Sequence, residues 1–275
     1  MNQLPDLSSE YPLTETQIED FRRDGHVYLP NVCSVEEATI YRQAITQIAY
    51  PLFPLSEEKR PFLQTLNLRY HCPKVKRFVL SRRFGQIVSD LISKPISSES
   101  GLPPSSVRIF HEQALFKEPN GILTPWHQDQ YYWPLNTRDS VGLWMPLVDV
   151  PLEMGPIRFA TGSHREGFIK QVPISENSQE FFQQFIQQRQ FPLWQQDMKA
   201  GDATFHNGWT VHGATANLSD AVREAMIVTY YPDGTTVDAL SNPSRVNDAK
   251  HFLGGRREGE LANSELNTVV YQVNR

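Results

Sequence analysis

Ser106-Val107-Arg108-Ile109-Phe110-His111-Glu112-Gln113-Ala114-Leu115-Phe116-Lys117 alternates along its whole length. In an extended chain successive side chains point to opposite faces. Val107, Ile109, His111, Gln113, Leu115 and Lys117 therefore share one face, and Arg108, Phe110, Glu112, Ala114 and Phe116 the other. More short strand-like runs follow: Gly142–Val150, Pro156–Thr161, Gly201–Phe205, Trp209–Gly213 and Glu224–Tyr231. Turn residues separate them and helix signals are few, which predicts an antiparallel sandwich or barrel rather than βαβ units. Neither a GxGxxG nor a GxxxxGK[ST] run occurs, so dinucleotide and P-loop folds lack support.

Upstream of that stretch the period is helical. Thr14 and Gln17 have capping-box spacing, Leu13 can staple onto Ile18, and Asp24-Gly25 should end the helix. His26–Pro30 reads as a short strand. Ser34 with Glu37 opens a second helix, whose stripe is Ala38, Tyr41, Ile45 and Ile48. Residues 51–75 read as Pro-rich and irregular, and Phe84–Ile92 as a short helix. Ser175–Arg189 carries Phe181, Phe182, Phe185 and Ile186 among glutamines, and reads as an amphipathic helix packed on the sheet rather than a lid. Residues 1–12 look like a loose leader.

The chain has 275 residues, 39% of them hydrophobic and 21% charged, enough for a large core without staples. No linker divides it, so a single domain is expected over 1–275: a helical part over about 13–95, a β core over about 104–235 and a tail over 236–275. The net charge of −5 argues against a partner that needs a basic face, such as nucleic acid or an anionic membrane. Cys33 and Cys72 are too few for a disulfide framework. Without a signal-peptide pattern or a run of about 18 apolar residues, a cytoplasmic protein acting on a small molecule is expected.

The chemistry concentrates in Thr124-Pro125-Trp126-His127-Gln128-Asp129-Gln130-Tyr131-Tyr132-Trp133. His127 and Asp129 are two apart, so an extended backbone aims both to one side. An isolated H-x-D pair is most simply a surface pair or a core hydrogen bond. Here, however, Thr210-Val211-His212-Gly213 ends another strand-like run 85 residues later. Two imidazoles and one carboxylate cover one face of an octahedral Fe(II) and leave three positions open, as an oxygenase needs. Zinc accepts the same ligands but offers no redox chemistry. Arg223 opens the alternating run Arg223–Tyr231 and shares a face with Ala225, Ile227, Thr229 and Tyr231. An inward-facing Arg is costly unless it meets an anion, and its planar fork suits a carboxylate. A dicarboxylate chelating the metal at one end would supply that anion at the other.

These pieces together resemble the phytanoyl-CoA dioxygenase family of Fe(II)- and 2-oxoglutarate-dependent oxygenases. The resemblance rests on Trp126-His127-Gln128-Asp129, on Gly155–His164, on Gly201-Asp202-Ala203-Thr204-Phe205, and on His212-Gly213 followed by Arg223. Phe21–Val27 and Phe252-Leu253-Gly254-Gly255 extend it over nearly the whole chain. It implies a mainly β fold with flanking helices, a cupin-like double-stranded β-helix of the jelly-roll kind. It implies His127, Asp129 and His212 as iron ligands, with 2-oxoglutarate and O2 as cosubstrates, and Arg223 as the residue holding the distal carboxylate. Gln113 matches a family position near the cosubstrate, Lys117 shares its predicted face, and Trp144 matches a tryptophan beside 2-oxoglutarate.

The family often places Ser two residues after the distal histidine. This chain has Ala214 there, so either Thr215 substitutes or Arg223 works with one partner fewer. Halogenating members need a small residue where Asp129 stands, which excludes that branch. His206 is a rival to His212 as a ligand, but the strand-like run into Gly213 and the spacing to Arg223 favour His212. His164 reads as structural and His111 as a hydrogen-bonded interior residue. Tyr132 and Trp133 are candidates for the substrate wall.

The implied activity is oxidation of an unactivated C–H bond, with release of succinate and CO2. The alternatives are a non-oxidative cupin-like protein binding zinc or manganese, and an acyl-CoA hydroxylase. Lys74-Val75-Lys76-Arg77 and Arg82-Arg83 would be the phosphate contacts of the latter, although solvated surface charge is their simpler reading.

Overall fold

The computed structural model describes residues 4–53, 62–93 and 105–273. The expected joins near 95 and 104, the start of the leader and the end of the tail lie outside these residues. In chain order the elements are α1 (Glu15–Asp24), β1 (His26–Leu29), α2 (Val35–Leu52), β2 (Leu63–Leu66), α3 (Pro73–Val79) and α4 (Arg82–Ile92). Then come β3 (Val107–Lys117), β4 (Thr124–His127), β5 (Val141–Pro146), β6 (Ile157–Ala160), α5 (Glu176–Arg189) and β7 (Leu193–Trp194). The chain ends with β8 (Ala203–Asn207), β9 (His212–Ala214), β10 (Arg223–Pro232), α6 (Pro243–Phe252) and β11 (Val269–Tyr271).

Two antiparallel sheets face each other. The larger runs β1-β8-β5-β10-β3-β11, with β2 also paired to β3; the smaller runs β4-β9-β6-β7. Sequence neighbours lie far apart in this order, the jelly-roll solution that lets two sheets enclose one interior. The fold is the expected double-stranded β-helix. Helices cover the outer face of the larger sheet, where Tyr41, Ile45, Phe78, Phe84 and Leu91 meet Phe116, Leu143, Phe205, Met226 and Val228. Between the sheets, Trp144 and Ala225 pack against Ile157 and Phe159. The helix α5 lies on the outside of the smaller sheet, where Phe182 and Ile186 meet Trp126 and Val211.

Local signals hold where the sequence carries them. Thr14 and Ser34 both form full capping boxes, and Gly25 ends α1 at φ 77°, a left-handed conformation that glycine adopts at no steric cost. Other expectations need correction. The alternation of β3 is broken by a bulge: Val228 pairs with Glu112 and Tyr230 with Ile109, so two residues of β3 oppose one of β10. His111, Gln113 and Leu115 consequently face the interior, while Val107 and Ile109 join the helix-side core on the face of Ala114 and Phe116. The segment read as irregular holds β2 and α3; Pro73, at the first helical turn of α3, is a start signal. The tail holds α6 and β11. The described part of the leader is tied down, with Leu7 buried and its carbonyl accepting from the Arg83 backbone N–H at 3.0 Å. Among the described residues no helix is long and apolar enough to cross a membrane.

Candidate metal centre and oxygenase pocket

β4 and β9 are neighbours in the smaller sheet, and their register sets His127 opposite His212. The two rings lie 4.2 Å apart. Gln128 is extended, and Asp129 then opens a short 3-10 turn whose carbonyl accepts from the Tyr132 N–H at 2.9 Å. This brings Asp129 under both rings: its oxygens lie 3.6 Å from His127 Nε2 and 3.6 Å from His212 Nε2. One ligand atom from each of the three residues lies within 4.8 Å of the others.

The imidazoles are oriented for coordination. His127 Nδ1 lies 2.8 Å from the Pro125 carbonyl and His212 Nδ1 lies 3.0 Å from the Thr210 carbonyl. A carbonyl only accepts, so Nδ1 carries the proton and Nε2 turns its lone pair inward. Burial pushes His212 down to about 3, with the His127 imidazole adding to it, so the ring is neutral at ordinary pH. Burial alone would raise Asp129, but the surrounding imidazoles, His212 foremost, hold it well below the usual carboxylate range. Two imidazole nitrogens and one carboxylate oxygen on one side of an open space make a donor set that fits Fe(II).

His206 is not part of that set, yet it touches it. Its Nε2 lies 3.3 Å from Asp129 Oδ2. Gly142 on β5 leaves room for the ring: a Cβ there would stand 2.6 Å from His206 Nε2. The sequence offered His206 only as a rival ligand and gave no sign of this supporting contact.

A cavity of about 360 Å³ opens beside the triad. Arg223 forms part of its wall although it is only 2% exposed. Its Nη1 donates to the Gly155 carbonyl at 2.9 Å, its guanidinium lies 5.6 Å from the Trp144 ring centre, and its Nε has no partner among the described residues. Burial pulls it down to about 10, which leaves it cationic at neutral pH. A buried cation with an unspent donor beside a metal site fits a carboxylate.

The other expected site residues divide. Gln113, Trp144, Tyr132 and Trp133 line the cavity. Lys117 and Thr215 do not. The Lys117 Nζ is spent on the carbonyls of Ile122 and Thr215, at 2.9 and 2.8 Å, and on Thr124 Oγ1 at 3.3 Å. Burial, reinforced by the nearby Arg223, lowers its pKa to about 6. The Thr215 hydroxyl accepts from Gln195 at 3.0 Å. The sequence missed Gln64 and Leu66, brought in by β2, with Phe62 just before it, and Asn247, Asp248 and Phe252, brought in by α6. His111, expected as an interior residue, also faces the cavity. The basic residues of α3 and α4 do not line it: Arg83 is paired with Glu37 at 2.8 Å, and Arg82 packs over Tyr271 at 4.7 Å.

Comparison with known proteins agrees with this geometry. Among curated proteins, a phytanoyl-CoA dioxygenase of Arabidopsis thaliana is 28% identical over 156 residues, covering 56% of this chain and 50% of its own length. The match thus spans about half the length of that relative. Among solved structures, the non-haem α-ketoglutarate-dependent epimerase SnoN from nogalamycin biosynthesis superimposes with a TM-score of 0.76 at 21% identity, over 94% of this chain and 98% of that one. SnoN has also been solved with Fe3+, α-ketoglutarate and nogalamycin RO. EctD from S. alaskensis, solved with 2-oxoglutarate and 5-hydroxyectoine, gives a TM-score of 0.68 at 17% identity, over 86% of this chain and 84% of that one. The family model for phytanoyl-CoA dioxygenase matches residues 21–225, which takes in all three triad residues and Arg223, and the chain belongs to that family, whose enzymes use Fe(II), 2-oxoglutarate and O2.

Proposed function

We propose that the chain, acting as one catalytic domain, is a 2-oxoglutarate-dependent dioxygenase that hydroxylates an unactivated C–H bond of a small organic substrate. The observation that carries this reading is Arg223, a buried residue in the wall of the cavity that holds the triad, whose Nε has no partner among the described residues. A module that only bound zinc or manganese would have no use for a buried guanidinium there.

In this reading His127, Asp129 and His212 would hold Fe(II). Iron with 2-oxoglutarate and O2 supplies the oxidising power, and succinate and CO2 leave as products. Arg223 takes the distal carboxylate through its free donor edge, and Trp144 flanks it. Gln113 is positioned to orient the cosubstrate or substrate. Asp129 keeps a protein oxygen where a halide would otherwise sit. Tyr132, Trp133, Ile174 and Phe252 supply an apolar wall that keeps water from the reacting carbon. Such a wall suits a small natural product or amino-acid derivative better than a CoA ester.

Anaerobic titration of the Fe(II) protein with 2-oxoglutarate tests the reading. A visible charge-transfer band should grow to saturation, and its absence would overturn the assignment.

A further inference from the structure

β3 runs along the cavity. Arg223 pairs with Lys117, the last residue of β3. Phe252 of α6 packs against the middle of the strand, with ring centres 5.5 Å from Phe110 and 4.9 Å from His111. Six residue steps of strand lead from His111 to Lys117, which corresponds to about 20 Å. The pocket therefore has a cationic end and, where α6 enters, a different one.

That second end presents a carboxylate. Asp248 lines the cavity beside Asn247 and Tyr132. The Tyr132 phenol is pushed up to about 12, by burial first, with Asp129 and Asp248 both adding. Both carboxylates therefore act on the Tyr132 phenol. Burial lifts Asp248 to about 7, and only the Asn247 side chain acts against it. The nearest arginine on the helix, Arg245, is spent elsewhere: on Asp238 at 2.7 Å, and on the carbonyls of Gln130 at 2.8 Å, Tyr131 at 3.3 Å and Ala239 at 3.0 Å. No lysine or arginine among the described residues pairs with Asp248.

The Arg245 bonds also anchor the helix that carries Asp248. Gln130 and Tyr131 belong to the turn that begins at Asp129, so α6 is fastened to the segment bearing a metal ligand. Asp248 lies one helical turn after Arg245. It lines the cavity with Tyr132, Trp133, Ile174 and Phe252, and has no counter-ion among the described residues. A carboxylate so placed rewards a positively charged hydrogen-bond donor and penalises an anion, because either choice is made in a partly desolvated site.

We infer that Asp248 is a specificity-determining residue, and that the substrate carries a basic nitrogen on the part that lies against α6, away from the carbon being oxidised. This rests on the oxygenase reading above and narrows its substrate class to amines with an apolar or aromatic body.

Three probes of one skeleton test it: 3-phenylpropylamine, its N-acetyl derivative and 3-phenylpropanoic acid. Each is titrated calorimetrically into the anaerobic Fe(II)–2-oxoglutarate protein. The amine should bind at least about tenfold more tightly than the other two, and Asp248→Asn should bring all three within about twofold. Asp248→Ser gives a second, smaller replacement should the first fold poorly. Equal or tighter binding of the acid or the amide, no binding of the amine, or a preference that survives loss of the carboxylate would overturn the inference. The charge-transfer band separates the two layers. If it forms but the amine is not preferred, only the substrate class fails; if it never forms, the oxygenase reading fails.

Discussion

Asp129 serves two masters, since one of its oxygens also lies 3.3 Å from His206. That contact fixes the carboxylate before any metal arrives. Groups that orient a ligand from behind are worth 10–100-fold in metal affinity. His206→Ala should therefore weaken Fe(II) binding by about that factor while leaving the fold intact, as followed by anaerobic metal titration with a fluorescent chelator. Arg223 is the other residue on which the site turns. Removing a cation that meets a desolvated carboxylate costs about 3 kcal/mol, roughly a hundredfold. Arg223→Ala should raise the 2-oxoglutarate concentration needed for half-saturation of the charge-transfer band by that much, with metal affinity unchanged; an unaltered midpoint would remove the residue from cosubstrate binding. Asp129 and Arg223 stood out as candidates in the sequence because each pairs an unusual side chain with a strand-like spacing. Asp248 was not legible, because nothing along the chain says that a helix of the tail folds back over the pocket.

Elements explain both the successes and the misses. β10 alternates without a break, so its inward set was readable from period alone. β3 looked equally regular, but Val107, Ile109, Phe110 and Leu115 are all apolar, and an apolar residue fits either face. A bulge in such a run leaves no mark on the pattern. β2 has only four residues, and becomes a strand because β3 offers it an edge. The start of α6 did carry a signal: Asn242 caps it, accepting from the Arg245 N–H at 2.9 Å, and Pro243 follows in the first turn. At this scale the exchangeable part is the close approach of β5 to His206. In Gly142→Ala the added Cβ would displace the imidazole from Asp129. The variant should lose metal affinity to a similar degree as His206→Ala, and the double variant should lose little more than either, because both act through one contact. Additive losses in the same titration would show that the two act independently.

For the molecule as a whole, acid is the expected weakness. His26 of β1 is stacked on Phe159 at 4.5 Å, lies 2.9 Å from Thr161 Oγ1, and is held down to about 4 by burial. Its folded value lies below the ordinary 6.5, so the unfolded chain binds the proton first. Stability is full above pH 6.5, falls as the pH drops through the window to 4, and levels off below it. One such group contributes about 3 kcal/mol across that window. His26→Gln should flatten this part of the curve of melting temperature against pH. An unchanged slope would show that other groups govern acid unfolding.

The pairing of β4 with β9 has one more consequence. These strands have four and three residues, and their register slips between Thr124 and His127. Each carries one of the imidazoles. A bound ion would therefore rivet together two thin staves of the barrel. Amide deuteration around residues 124–127 and 212–214 should slow when Fe(II) is added, and a chelator should loosen this seam before it touches the broad sheet behind it.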